Sequence, residues 1–110
     1  MSEELLEFRN TVEDPDGRSH VARVMGAERN DGTWIGWIRF TAPNGETIET
    51  ERETTQPNRD DLSYWSRGLT YFYLEGALRR ASRLRDQRLG GKVSGDGEPD
   101  PAAAGSSATD

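Results

Sequence analysis

The stretch NDGTWIGWIRFTAPNG, Asn30 to Gly45, decides the fold. Asp31-Gly32 near one end and Asn44-Gly45 at the other are preferred two-residue hairpin turns. Side chains alternate across a strand, so Trp34, Ile38 and Phe40 share one face and Ile35 and Trp37 the other. A strand bounded by two tight turns pairs antiparallel with the segments on either side of it. Those segments are His20 to Glu28 before it and Glu46 to Thr55 after it. A third turn signal, DPDG at Asp14 to Gly17, sets off a first strand from about Leu5 to Glu13. Four strands on short connections predict an antiparallel meander. The last strand is rich in Thr and Glu, with Glu49, Glu51 and Glu53 on one face, as suits a sheet edge.

Pro57 stops that strand, and Asn58 is a candidate helix N-cap with Asp60 and Asp61 in the first turn. The pattern predicts one helix, continuous or mildly kinked, to about Leu89, with Gly90-Gly91 ending it. The expected fold is therefore α+β: a four-stranded antiparallel meander sheet packed by one long C-terminal helix, ββββα. About 30 helical residues span about 45 Å, whereas an eight-residue strand spans about 27 Å. Such a helix overhangs the sheet or breaks, and Gly68 and Gly76 are the candidate break points.

Residues 1–89 form a single domain on this reading, and 90–110 a disordered acidic tail. The tail holds Gly, Pro, Ser, Ala and acids with one Val and no aromatic residue, too little apolar surface to offset chain entropy.

On a helical wheel through Asp60 to Arg85, Leu62, Trp65, Leu69, Phe72 and Tyr73 form one stripe. Tyr64, Tyr71, Leu74 and Leu78 form a second, opposite stripe. A surface helix ordinarily carries one apolar stripe, and a single sheet covers only one side. The second stripe, together with Ile35 and Trp37 on the far face of the third strand, is the predicted interface. The expected partner is an identical subunit, or failing that another protein.

Charge is uneven. Formal net charge is −6. Residues 1–78 hold 8 Arg and 15 acids, and residues 79–88 hold 5 Arg and one Asp. The acidic body argues against nucleic acid as a partner. Arg79, Arg80, Arg83, Arg85 and Arg88 are the one candidate contact for an anion or nucleic acid. They equally suit the negative end of a helix dipole. Thirteen of the 14 basic residues are Arg, a bias that a GC-rich bacterial genome also produces.

The residues offer no catalytic constellation, and an enzyme is not expected. The chain has no Cys and a single His, His20, which leaves no thiolate nucleophile and a poor donor set for zinc. No metal or cofactor is expected. DPDGR at Asp14 to Arg18 opens like a calcium loop but lacks the remaining ligands, and reads as a turn. There is no G-x-S-x-G elbow, P-loop or dinucleotide fingerprint. The acidic N-terminus, MSEELLEF, is no signal peptide, and no apolar run is long enough to span a membrane. A cytoplasmic accessory or protein-interaction module is the expectation. The alternatives are a nucleic-acid adaptor using the Arg-rich helix end, and a small-ligand protein with a pocket near Trp34, Trp65 and Tyr73.

Overall fold

The computed structural model describes residues 1–93, with side chains described as far as Arg88. The predicted tail, 90–110, lies outside the described residues beyond Val93, and its first residues, Gly90 to Val93, are helical rather than disordered. The chain runs β1 (Ser2–Glu7), β2 (Val12–Glu13), β3 (Ser19–Glu28), β4 (Trp34–Thr41), β5 (Thr47–Glu49), β6 (Thr54–Gln56), α1 (Arg59–Arg67) and α2 (Tyr71–Val93). The fold is α+β. All pairings are antiparallel, in the order β1-β3-β4-β5, with β2 also on β3 and β6 also on β4.

The two central strands are continuous, and each outer strand is interrupted. The first predicted strand divides into β1 and β2, and the fourth into β5 and β6. A bulge between Glu4 and Leu6 shifts the register of β1 on β3. It lets consecutive Leu5 and Leu6 both turn toward the core, where each is half-buried. Between β5 and β6, Thr50 to Glu53 stand opposite only Trp37 and Ile38 of β4. Thr50 Oγ1 accepts a hydrogen bond from Ile38 N at 3.1 Å, so the bulge leaves that buried donor satisfied.

The Asp31-Gly32 and Asn44-Gly45 turns differ from the two-residue form expected, and all three turns share one form. Gly17, Gly32 and Gly45 have φ of 82°, 89° and 92°, and each N–H bonds back to the carbonyl three residues earlier. The loops are Pro15–Gly17, Asn30–Gly32 and Pro43–Gly45. They are closed by the N–H groups of Asp14, Arg29 and Ala42 donating to the carbonyls of Arg18, Thr33 and Glu46. This is the three-residue hairpin, a type I turn followed by a left-handed residue. Pro15 and Pro43 supply the fixed φ of the first loop position. Asp31 and Asn44 add side-chain acceptors for the N–H two residues on.

The core lies on the helix-covered face. Ala22 and Val24 of β3, Ile38 and Phe40 of β4, Val12 and Ile48 meet Leu74, Ala77, Leu78 and Ala81 of α2. The i, i+3, i+4, i+7 spacing of those four helical residues gives one stripe. His20 is buried there too, its ring edge-on to Phe40 and its Nδ1 3.1 Å from Arg18 O.

The predicted single helix is two. α1 lies close to β1, β3, β4 and β6, whereas α2 lies closest to β2 and β5 and sends its side chains onto the core face of β3 and β4. The break falls at Gly68, and α2 continues through Gly76 and past Gly90 to Val93. The break at Gly68 lets α1 cover the β1 and β6 part of the sheet and α2 the β2 and β5 part.

Candidate functional site

The break between the helices is where the candidate residues gather. Asn58 caps α1, its side chain accepting from Asp61 N at 2.8 Å. Arg59 is tied to Glu3 of β1, its Nε donating at 2.9 Å, and that bond holds the Glu3 carboxyl below its ordinary range. At the other end Gly68 N donates to Trp65 O at 3.1 Å. Thr70 then restarts the helix: its Oγ1 accepts from Tyr73 N at 3.2 Å and its carbonyl from Leu74 N. Three residues, Gly68 to Thr70, thus make an elbow.

The elbow resets the helical phase, so a wheel drawn across it misplaces α2. Leu74 and Leu78, predicted for the second face, are 3% and 0% exposed in the main core and are not available to a partner. Phe72, predicted for the sheet-facing stripe, is 82% exposed. Tyr64 and Tyr71 do face outward, at 75% and 43% exposure. Tyr71 and Phe72 meet edge to face at 6.5 Å. The Arg67 guanidinium lies 5.9 Å from the centre of the Tyr64 ring. The missed signal is Gly68 followed two residues later by Thr70, a helix stop beside a helix start.

Beside Tyr64 is a groove of about 520 Å³ lined also by Gln56, Asp61, Trp65, Leu69 and Tyr73. Trp65 and Tyr73 meet there edge to face at 6.2 Å. Trp34 sits opposite Gln56 in the sheet and does not line the groove. Tyr73 Oη donates to Glu53, and Arg80 Nη2 donates to the same carboxylate oxygen at 2.6 Å. Burial, then the hydrogen bond to Glu53, pushes the Tyr73 phenol up to about 12. This triad locks α2 to the bulge of the edge strand.

The bulge also breaks up the predicted glutamate row. Glu49 pairs with Arg39 on the open sheet face at 2.5 Å, whereas Glu53 turns to the helix side. On that open face Trp37 stands opposite Met25 and Ile35 opposite Ala27. Ile35 and Trp37 are half-buried, and Trp37 Nε1 is buried without a hydrogen-bond partner among the described residues. Across the same face Arg23 bonds Glu7 and Thr41. This patch is apolar, but its large side chains are half-buried where those at the elbow are exposed.

The arginine-rich segment is partly engaged. Arg80 pairs with Glu53 and Arg85 with Glu46 at 3.5 Å. Arg79, Arg83 and Arg88 are exposed, with no ion pair among the described residues. No group of three metal-ligating side chains comes together among the described residues, and no described helix is long and apolar enough to cross a membrane. Comparison with family models, with curated proteins and with solved structures finds no match to this chain.

Proposed function

We propose that the protein is a small interaction module that docks another polypeptide through the elbow between α1 and α2. One observation carries this reading: Tyr64, Tyr71 and Phe72 stand around the elbow at 75%, 43% and 82% exposure. Aromatic side chains left in water cost free energy that burial against a partner recovers. They also offer large contact area with little rotamer entropy to lose. The rings are presented by a rigid frame, since Leu62, Leu74 and Leu78 fix both helices from beneath. A nucleic-acid partner is less well supported, because two of the five arginines are already held by sheet carboxylates.

The test is a photo-crosslinking amino acid at position 72, irradiated in cells that make the protein. The expected result is a covalent adduct with a polypeptide, either this chain or another. Adducts no more abundant than those from a probe at Asn30, on an exposed hairpin turn, would overturn the reading.

A further inference from the structure

We propose that the polypeptide docked at the elbow is a second copy of this chain, with the two α1 helices antiparallel and crossing at Tyr64. This rests on the interaction-module reading and names the partner. Asp60 and Asp61 lie one turn before Tyr64 and Arg67 one turn after it, at the three- and four-residue spacings that share a helix face. All four residues are exposed. Asp61 lines the groove with Tyr64, and the Arg67 guanidinium sits against the Tyr64 ring. Among the described residues, neither aspartate nor Arg67 has an ion-pair partner.

This order of charge suits the dipole of α1 alone. It also changes sign about Tyr64. A two-fold axis through that residue therefore brings each Arg67 beside the partner's Asp60 and the partner's Asp61, and stacks the two tyrosines at the centre. Such an isologous contact uses one patch twice, as two-fold dimers do. A parallel pairing of the same helices would set like charges together.

The area is of the right order. An aromatic side chain contributes about 150–250 Å². At their observed exposures the three rings present about 300–500 Å² per protomer. A standard interface takes about 800 Å² from each partner. The rings supply about half of that, and Asp60, Asp61, Arg67 and Leu69 around them supply the polar rim and the remainder.

The test is sedimentation of the full chain with two charge variants, Asp60→Lys with Asp61→Lys, and Arg67→Glu. The wild type is expected at twice its 12.3 kDa chain mass. Each variant alone should self-associate at least about tenfold more weakly, the effect of roughly one interfacial charge contact. A mixture of the two variants should form a heterodimer at wild-type affinity, because every charge contact is then again between opposite signs. A merely destabilised helix would not recover on mixing. A wild-type monomer, a dimer indifferent to both variants, or a mixture that fails to recover would each overturn the proposal. Crosslinking from position 72 to a different polypeptide, with a monomeric chain, would sink this proposal and leave the interaction-module reading standing.

Discussion

The two helices reach the same sheet by different means. α2 is seated broadly: Leu74, Ala77, Leu78 and Ala81 share one buried cluster with both central strands. α1 has nine residues and one deep anchor, Leu62, which is fully buried yet stands outside that cluster. Its socket is made of absent side chains. Gly26 and Gly36 face each other across β3 and β4, and a Cβ on either would lie 2.7 or 2.6 Å from a Leu62 methyl carbon. The seat of α2 is part of the core itself, so damage there is global, whereas α1 hangs on a single plug in a glycine socket, so damage there stays local. The difference separates a helix that builds the core from one that presents a surface.

The largest test of this contrast is Leu78→Ala. It opens a cavity in the shared cluster and should cost about 2–5 kcal/mol of global stability in urea unfolding. A loss below about 1 kcal/mol would show that α2 is not the structural member. Gly36→Ala comes next, at about 1–3 kcal/mol from overpacking. Its effect should be local: amide exchange should quicken in α1 and remain slow in α2. The double variant Gly36→Ala with Leu62→Ala should lose less than the sum of the single changes, since the added methyl then has room. Strict additivity would mean the socket is not what holds α1.

The smallest effect is at high pH. Tyr73 has its phenol raised to about 12 from 10.0. A raised folded value means that its contribution is intact below pH 10 and is lost as pH climbs from 10 towards 12. Phenolate absorbance should show a late step that Tyr73→Phe abolishes. That step sharpens the account of how α2 is tied to the edge strand: in Glu53→Gln it should come earlier but persist, because burial is the larger cause.

The sheet was readable in the sequence because its signals are local. Alternation along Trp34 to Phe40 and three glycine turns require no knowledge of the rest of the chain. The form of the second and third turns was not legible, since Asp-Gly and Asn-Gly also occur one position later in a three-residue loop, behind Asn30 and Pro43. The helix break was hidden for a different reason. Glycine in a helix costs only about 1 kcal/mol, so Gly68 alone does not decide between kink and stop. What decides is distant in sequence: Leu62 drops between Gly26 and Gly36, and Leu74 and Leu78 drop onto Phe40's neighbourhood, in directions one straight helix does not satisfy. Every error in the candidate interface follows from that one break, which exchanged Phe72 for Leu74 and Leu78. The bulges at Leu5 and at Thr50 to Glu53 likewise answer to the partner strand and the helices above it.

The three like-built hairpin loops have a consequence for the order of assembly. Three of the pairings, β2 with β3, β3 with β4 and β4 with β5, close across loops of three residues, and β1 and β6 then add to strands already paired. Closing such short loops takes well under a microsecond and a hairpin forms within about ten microseconds. The sheet can therefore zip up in the sequence in which it is synthesised, with no distant segment awaited. The helices, whose contacts reach back to β1 and β2, can dock only once those strands are in place. During that interval the glycine socket stands open and the apolar floor beneath α2 faces water. The acidic side chains of the edge strands, Glu3, Glu4 and Glu7 of β1 and Glu49 of β5, then disfavour pairing of one unfinished chain with the next.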